Sequence, residues 1–502
     1  MTGTFHRRGA AVLASALTGA VALLLAGCAG SSPDAPSRTT YRSVDRSGIA
    51  PIVRGPGAAD IGLKWNWDLA PSIDYASQIG WGETFLEVEW CAVRGDNEPG
   101  QLAALDRRLA RADRMGYRMM LKIRVGSCRG GAEIFDPAEG TSKQASSFPD
   151  DPDAYVEFVR GLVTHYAARG VRTWAIENEV DANNFWTGTR QEYVELVKLG
   201  AAAIKDADPT ATILDAGISS TGYGVAIAGE LLDAGQEEQA LAFYHAYYMR
   251  RIDGDGARFE AVDSISQLRR VLDHGRGKRV RDMVAATWDA VNAGGVTAYQ
   301  LHFYENPALL PRVLDFIDAH LSVRVPIQAW EVGSAWPGAT YTTQGQAAEV
   351  ATLLGILFAR HISPVVYLPL AYTPRPGKTE VFRGLTATGG QELPAGEVYR
   401  RFAAAANKST AITELAVDGG AGVLFDLTDR SFAVVWPTSG AGLKIGQMSD
   451  GTSIVAAAEP AQAVGPGSTV AGAILIDLAG TTAKQAPKDL TALLGVAVST
   501  SR

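Results

Sequence analysis

The sequence predicts a (β/α)8 barrel followed by a small C-terminal β-sandwich. From about residue 60 the chain alternates short β-rich runs with amphipathic helical patterns, as parallel strands joined by crossover helices do. Eight such β-rich runs precede residue 410, which is the number that a closed barrel of this type requires. After about residue 410 the pattern changes to short alternating strands with glycine-rich turns, which is typical of a sandwich.

The first 27 residues are typical of an export signal. Arg7 and Arg8 precede an apolar stretch, 10–26, that is short and rich in small residues for a membrane span. The stretch ends in Leu-Ala-Gly-Cys28, which resembles a bacterial lipobox and implies cleavage before Cys28 and lipidation of its thiol. The alternative is an ordinary secretory signal with a chance cysteine. We therefore expect an exported, membrane-anchored lipoprotein, periplasmic or at the cell surface.

Composition and pattern divide the rest of the chain into four parts. Residues 28–58 are rich in Ser, Pro, Gly, Arg and Thr, and are expected to form a lipid-anchored linker. The barrel is predicted for 59–408 and the β-sandwich for 409–480. Residues 481–502 are expected to form a weakly ordered tail.

The eight predicted barrel strands are short runs rich in β-branched and aromatic residues, each bounded by turn or helix signals. They cover residues 62–67, 84–90, 119–125, 173–179, 212–218, 298–304, 327–331 and 365–370.

Helix signals stand between these runs. Asp151 is a candidate N-cap before a proline at the first helical position, and Thr189 with Glu192 has the spacing of a capping box. The gap between the fifth and sixth strands is long, and 219–296 is predicted to be an insertion of several helices with basic clusters. A solvated insertion is the favoured interpretation over an anion site, although it could wall one side of a cleft.

Charge and cysteine usage restrict the function further. The formal net charge of -8 gives no electrostatic case for nucleic acid as a ligand. Once Cys28 is assigned to lipid, Cys91 and Cys128 remain, each after one of two consecutive strands. In an exported protein they are expected to form a disulfide, with two buried free thiols as the alternative.

Two glutamates close predicted strands at the end of the barrel where active sites lie. Glu179 ends the fourth strand and Glu331 ends the seventh. Cleavage of a glycosidic bond needs one carboxylic acid to protonate the leaving oxygen, and a second carboxylate to attack the anomeric carbon or activate water. Two rigid strands that end in glutamate would supply such a pair, whereas either glutamate alone could be a structural carboxylate paired with a cation.

The residues around these glutamates resemble clan A glycoside hydrolases, most closely family 39, with families 5 and 42 as relatives. Asn178-Glu179 closes strand four, His302-Phe303-Tyr304 closes strand six and Trp330-Glu331 closes strand seven. A segment after strand eight, 382–395, is similar to the family's "Gly-Leu … Asp-Gly … Pro-Ala" segment. The resemblance covers most of residues 60–480 and implies a retaining enzyme. No cofactor is implied, and the seven scattered histidines give no case for a metal site.

The resemblance also implies roles for individual residues. Glu179 would be the acid/base and Glu331 the nucleophile. Asn178 would hydrogen-bond the sugar 2-hydroxyl, Tyr304 would orient Glu331, and His302 would line the donor subsite.

Charged residues on the second to fourth strands predict a polar network inside the barrel. Because side chains alternate along a strand, Glu177 is expected to point inward one layer beneath Glu179. Lys122 and Arg124 on strand three are expected to neutralise some of Glu87, Glu89 and Glu177, because a buried charge is costly unless it is paired. A cation of this network would also hold Glu331 ionised.

Aromatic residues near the strand ends are the other carbohydrate signal, because sugar C–H faces pack on aromatic rings. Trp186 and Trp336, on loops directly after the two glutamates, are the best candidates, although any one tryptophan is more commonly part of the core. The sequence has no Gly-x-Ser-x-Gly, phosphate-loop or His-Glu-x-x-His motif.

The sequence therefore predicts a retaining glycosidase that acts on an extracellular or periplasmic oligosaccharide or polysaccharide. Two alternatives remain open. One is a non-catalytic sugar-binding lipoprotein, and the other is an enzyme that trims or transglycosylates a secreted exopolysaccharide together with polysaccharide-export machinery. The sugar and its linkage do not follow from the sequence, because they depend on loop geometry.

Overall fold

The computed structural model describes residues 61–93, 98–126, 133–136, 141–252, 259–336, 340–371 and 382–500. The chain divides into two compact units, 1–37 and 38–502, and every described residue belongs to the second. The predicted signal, the linker and Cys28 lie outside the described residues. No helix within the described ranges combines the length and the apolar character needed to cross a bilayer.

Eight parallel strands form the barrel, in the order β7-β6-β3-β2-β1-β11-β9-β8. A bridge between Leu214 and Ala298 brings the two outer strands together, so the sheet closes on itself. This confirms the predicted (β/α)8 barrel. The strands up to residue 383 are β1 (Ile61–Leu63), β2 (Gly82–Glu89), β3 (Tyr117–Arg124), β4 (Glu133–Asp136), β5 (Thr141–Gln144), β6 (Thr173–Ile176), β7 (Thr212–Leu214), β8 (Tyr299–Phe303), β9 (Ile327–Val332), β10 (Ser334–Ala335), β11 (Val365–Tyr367) and β12 (Phe382–Arg383).

The helices follow the predicted caps. The Asp151 side chain accepts the Ala154 N–H at 3.0 Å, and Thr189 with Glu192 forms the complete capping box. The described helices are α1 (Ala70–Ile79), α2 (Trp90–Val93), α3 (Glu98–Arg114), α4 (Pro152–Ala167), α5 (Arg190–Ala207), α6 (Ser220–Asp233), α7 (Glu237–Ile252), α8 (Ile265–Asp273), α9 (Gly275–Asn292), α10 (Leu310–His320), α11 (Thr343–Ala359), α12 (Pro394–Ala406) and α13 (Ala486–Leu494), with a 3-10 turn at Pro307–Leu309.

The predicted insertion between the fifth and sixth barrel strands is helical, as expected, and contains α6 to α9. Its basic residues do not all face solvent. Arg250 and Arg251 reach residues of the sixth and seventh barrel loops, and Arg279 donates to the carbonyl of Trp186 at 2.5 Å. The insertion therefore holds loops at the C-terminal end of the barrel in place.

The C-terminal region is a six-stranded antiparallel sheet, in the order β17-β19-β15-β14-β13-β20. One face packs on α11 of the barrel, where the ring centroids of Phe358 and Phe425 lie 5.4 Å apart. The other face is covered by α13 and by the β16–β18 ribbon, which gives a sandwich-like arrangement. The strands are β13 (Ala411–Val417), β14 (Gly420–Asp426), β15 (Arg430–Pro437), β16 (Leu443–Lys444), β17 (Thr452–Ala456), β18 (Thr469–Val470), β19 (Ile474–Ala479) and β20 (Val498–Thr500).

The expectation of a weakly ordered tail from residue 481 is wrong. Residues 486–494 form α13, whose Leu490, Leu493 and Leu494 are buried against the sheet. β20 then pairs with β13 as an edge strand. The leucine spacing of this helix supplies the apolar face that holds the segment down.

Candidate active site

The loop after β6 presents Glu179 at the mouth of the barrel. The strand ends at Ile176, and both Glu177 (φ +68°) and Glu179 (φ +39°) have left-handed backbone conformations, which residues other than glycine seldom adopt. The Glu177 N–H donates to Ile123 on one side and the Glu179 N–H to Ala216 on the other. Hydrogen bonds to both neighbouring strands therefore hold this unusual turn, as is common at functional sites.

A β-bulge in β9 presents Glu331. Gln300 on β8 lies opposite Gln328, whereas His302 lies opposite Glu331, so two steps on β8 face three on β9. The bulge breaks the side-chain alternation of the strand. Trp330 therefore packs into the apolar cluster of the barrel interior, while its neighbour Glu331 contacts the polar residues of the mouth.

The two carboxylates meet at the mouth with His302 between them. One oxygen of Glu179, one oxygen of Glu331 and a ring nitrogen of His302 all lie within 4.8 Å of one another. The His302 Nδ1 atom is 3.1 Å from Glu179 Oε1 and 3.8 Å from Glu331 Oε2. The Tyr304 hydroxyl donates to Glu331 Oε2 at 3.0 Å. The structure thus brings together four of the residues singled out in the sequence.

Lys122 is the cation closest to Glu331. Its buried ammonium group forms an ion pair with Glu331 and donates to Asn178 Oδ1 at 2.6 Å. Burial raises the pKa of Glu331, but the electrostatic interactions with His302 and Lys122 and the hydrogen bonds from Lys122 and Tyr304 outweigh burial and hold the pKa well below its ordinary value. This arrangement favours an ionised Glu331.

Arg124 is the centre of the remaining polar network. Its guanidinium is 2.6 Å from Glu89, 3.3 Å from Glu87 and 3.7 Å from Glu177. Glu177 also accepts the Val125 N–H at 2.6 Å, and burial raises its pKa to about 7. The Arg124 part of the predicted neutralising network is present, whereas Lys122 pairs with Glu331 and not with Glu87, Glu89 or Glu177. The strand ends at Ile176, so side-chain alternation along the strand does not determine where Glu177 lies relative to Glu179.

Sequence reasoning missed three ionisable residues near the pair. Burial lowers the pKa of Lys64, just after β1, to about 8, and its ammonium lies 4.4 Å from the Phe85 ring centroid, as that of Lys122 also does. Burial also raises the pKa of Asp181, aided by the charge of Glu179, to about 6, and that of Asp215 to about 7. All three directly follow barrel strands or the Glu179 turn, so the strand-end rule that found Glu179 could have found them.

The prediction that Trp186 binds substrate is wrong. The side chain is fully buried, packs edge-on against Tyr193 at 6.1 Å between centroids and lies against Gly188. No ring face is open to a sugar, because the loop after Glu179 folds inward onto α5. The physical role of Trp186 is core packing.

Trp336, in contrast, is half-buried beside the mouth. The Arg250 guanidinium lies 4.3 Å from its ring centroid, and Arg383 donates twice to its carbonyl, at 2.7 and 2.9 Å. Arg250 is itself paired with Glu349. Arg250 of α7 therefore packs on the ring, while Arg383 of β12 holds the backbone of the same residue.

Of the two cysteines in the predicted disulfide, only Cys91 lies within the described residues. Cys91 is disulfide-bonded, whereas Cys128 lies outside the described residues, so the pairing of the two stays a prediction.

The mouth of the barrel also holds atoms that could ligate a metal ion. Within the described ranges, Glu179, His302 and Glu331 form the group whose atoms could ligate one. The Lys122 ammonium already neutralises Glu331, and Tyr304 occupies its other oxygen. A fixed positive charge at this position disfavours a divalent cation, so the residues fit an acid–base pair better than a metal centre.

The insertion is linked to Tyr304 through a buried ion pair. Arg251 of α7 contacts Glu305 at 2.7 Å, and the Glu305 side chain is fully buried. Ser220 of α6 donates to Glu305 at 3.2 Å and accepts the Tyr304 N–H at 2.9 Å. The first turn of the insertion therefore holds the backbone of the tyrosine that contacts Glu331.

Replacing Arg251 with methionine is expected to destabilise the protein by about 3–5 kcal/mol, because the buried Glu305 carboxylate loses its partner. Thermal and denaturant unfolding would measure the loss. Arg269→Met is the matched control, because its pair with Glu237 lies on the same insertion but is nearly half exposed, and it should change stability little. Equal effects of the two substitutions would contradict the proposed link.

Replacing Lys122 with methionine is expected to move the acid limb of kcat/KM upward by ~1–3 pH units, the range by which a neighbouring cation shifts a carboxylate pKa. The pKa of Glu331 is depressed in the folded protein, so its ionised form persists to low pH. Without Lys122, less electrostatic stabilisation opposes the effect of burial, so the pKa of Glu331 rises and Glu331 takes up a proton at higher pH. The pH profile of an aryl glycosidase assay would measure the shift.

Lys198→Met, on the exposed face of α5, is the control for the Lys122 substitution. An acid limb that is the same in both variants would show that Lys122 does not set the ionisation of Glu331. Lys122→Met should also lower the folding stability at neutral pH. The part lost is the part that wild type has above the unfolded-state pKa of Glu331 and loses as pH falls through its folded-state pKa.

With this geometry established, we compared the chain with known proteins. No protein-family model and no curated protein matches it. Among solved structures it is similar to a family 39 glycoside hydrolase from the gut symbiont Bacteroides cellulosilyticus WH2, with a TM-score of 0.52 at 13% identity over 84% of this chain and 81% of that chain. The chain has the fold of that glycoside hydrolase. The resemblance to family 39 predicted from the sequence is thus confirmed for the fold.

Two further structures are similar at lower scores. A glucosidase from Croceicoccus marinus is 11% identical over 86% of this chain and 98% of that chain, with a TM-score of 0.49. A family 30 endoxylanase from Clostridium papyrosolvens C71 is 11% identical over 85% and 97%, with a TM-score of 0.48.

Proposed function

We propose that this protein is a retaining glycoside hydrolase that cleaves O-glycosidic bonds of an oligosaccharide or polysaccharide through a covalent glycosyl-enzyme intermediate. One observation carries the proposal. Oxygens of Glu179 and Glu331 lie within 4.8 Å of each other at the mouth of the barrel. Retaining glycosidases hold their two carboxyl groups ~5–5.5 Å apart, whereas inverting ones leave room for a water at ~6.5–9.5 Å.

The different surroundings of the two carboxylates support different roles. Glu331 is paired with Lys122 and hydrogen-bonded by Tyr304, so it is poised as the ionised nucleophile. Glu179 has 17% of its side chain exposed and contacts His302. In this position it can give a proton to the leaving oxygen and later recover one from water.

The proposed reaction has two steps. In the first, Glu331 attacks the anomeric carbon while the Glu179 carboxylic acid protonates the departing glycosidic oxygen. In the second, Glu179 removes a proton from water, which attacks the same carbon and releases Glu331. Configuration is inverted twice and so retained.

The neighbouring residues would act on binding and position. Asn178 is placed by Lys122 beside the carboxylates, where its amide would meet the sugar 2-hydroxyl. Tyr304 would hold Glu331 in the orientation for attack, and His302 would line the donor subsite. Trp336, fixed beside the mouth by Arg250 and Arg383, would offer a ring to a sugar at the edge of the cleft.

We also propose that the substrate is met outside the cytoplasm. The support is the N-terminal sequence, in which a basic start, an apolar stretch and Leu-Ala-Gly-Cys28 fit a lipidated, membrane-anchored protein. Incorporation of a radiolabelled fatty acid into wild type but not into Cys28→Ser would test this part independently of any enzymatic assay.

Product stereochemistry tests the central proposal. Hydrolysis of 4-nitrophenyl β-glycosides, including xyloside, glucoside, galactoside and mannoside, would be followed by proton NMR before mutarotation. A retaining enzyme releases first the anomer of the same configuration as the substrate. Initial release of the opposite anomer, or turnover of none of the panel above the rate of Glu331→Ala, would contradict the proposal, and the latter would favour the sugar-binding alternative.

A further inference from the structure

Trp81 is unusual among the tryptophans of this protein. All ten lie within the described residues, and Trp81 is the one that is exposed, at 50% of its surface. It lies between α1 and β2, at the N-terminal end of the barrel strands. Glu179 and Glu331 lie at the opposite, C-terminal end, so Trp81 takes no part in the site described above.

The backbone of Trp81 is also unfavourable for its side chain. Its φ of +62° is in the left-handed region, which a bulky aromatic residue seldom adopts. The conformation is fixed by its N–H, which donates to Met115, and by its carbonyl, which accepts the Asn407 amide at 3.1 Å. Glycine would adopt this turn without strain and without an exposed apolar ring. The left-handed backbone and the exposed ring of Trp81 do not help folding, which points to a function for the ring.

The ring lines a pocket of about 410 Å³ between α1 and the end of α12. Four polar side chains line the same pocket: Gln78, Asn407, Lys408 and Arg400, of which Arg400 is also paired with Glu392. Lys408 makes no ion pair with another described residue, so its ammonium is available to a ligand. The volume is within the usual range of small-ligand sites.

An open aromatic face surrounded by amide and cationic donors suits a sugar ring, whose C–H face packs on the aromatic ring while its hydroxyls accept hydrogen bonds. Among the described residues, the other exposed large hydrophobic side chain is Met249 on α7, so the ring lacks the exposed apolar neighbours of a membrane-inserting patch. We propose that this pocket is a second carbohydrate-binding site, which holds a sugar residue of the polysaccharide that the barrel mouth cleaves. The proposal rests on the proposed function for the identity of that polymer.

The test separates the effect of losing the Trp81 ring from the effect of changing the backbone or the stability of the protein. Trp81→Gly removes the ring and relieves the left-handed backbone, and Trp81→Phe keeps an aromatic face. His361→Gly is the matched control, because His361 also has a left-handed backbone (φ +56°) just before a barrel strand. Each variant would be made in the Glu331→Gln background, so that binding is measured without hydrolysis, and run in native gels containing soluble xylan, mixed-linkage β-glucan or glucomannan.

We expect at least one polymer to retard the parent, with apparent affinity at least five-fold weaker in Trp81→Gly and nearly unchanged in Trp81→Phe and His361→Gly. With Glu331 intact, Trp81→Gly should leave kcat/KM for an aryl glycoside within two-fold of wild type. Equal retardation of parent and Trp81→Gly, no retardation by any polymer, or Trp81-dependent sedimentation with anionic lipid vesicles instead would each overturn the proposal.

The two proposals can fail separately. A protein that turns over no aryl glycoside but shows Trp81-dependent retardation would refute the proposed hydrolase and leave the second site standing. An active enzyme that the polymers retard equally with and without Trp81 would refute the second site and leave the proposed hydrolase standing.

Discussion

Replacing Glu331 with glutamine is expected to lower kcat for an aryl glycoside by on the order of 10⁴-fold, or about 5 kcal/mol in the activation barrier. Glutamine has nearly the same shape and can still accept from Tyr304, but its amide cannot form the glycosyl ester. The loss should be equally large for good and poor leaving groups, because formation of the intermediate is blocked in both cases.

Two controls make the Glu331 result specific. Glu195→Gln, on the exposed part of α5, should keep the wild-type rate. Azide added to Glu331→Ala should restore turnover and give a glycosyl azide of inverted configuration, because the small anion attacks from the vacated side. A Glu331→Gln enzyme within ten-fold of wild type would remove Glu331 from the mechanism.

Replacing Glu179 with glutamine is expected to lower kcat/KM by ~10²–10⁴-fold for substrates whose leaving group needs a proton. For 2,4-dinitrophenyl glycosides the first step should be nearly unaffected, because that phenolate departs without protonation. The intermediate should then accumulate, since water is no longer activated, and a burst of dinitrophenol should precede slow turnover.

The Glu179 variant also has a distinct chemical signature. Azide needs no general base, so it should accelerate the second step and give a glycosyl azide of retained configuration. A uniform loss for all leaving groups would contradict the acid/base assignment.

The barrel could be predicted from sequence because its strands are local patterns. Each of the eight runs contains enough β-branched and aromatic residues to identify the strand, and caps such as Thr189 identify the helices between them. Strand ends were less predictable. Trp90 begins a short helix, and the fourth strand stops at Ile176, because tertiary hydrogen bonds decide where a strand gives way to a loop.

The position of the carboxylate pair followed from the strand-end rule, but its geometry did not. Glu331 faces the mouth through a bulge, and Glu179 through a left-handed turn. Both depend on hydrogen bonds to neighbouring strands that a single run of residues does not reveal. The burial of the Trp186 ring against Tyr193 is likewise a property of the folded loop, which the sequence around it does not reveal.

The buried chain from Arg251 through Glu305 and Ser220 to Tyr304 limits how this protein can be shortened. α6 and α7 support the backbone of Tyr304, whose hydroxyl contacts Glu331, so they are structurally coupled to the mouth of the barrel. A shortened variant of the protein could lose other parts of the insertion only if it retained these two helices. Replacing the insertion with a loop from a shorter barrel would require another partner for Glu305 in place of the Arg251 guanidinium.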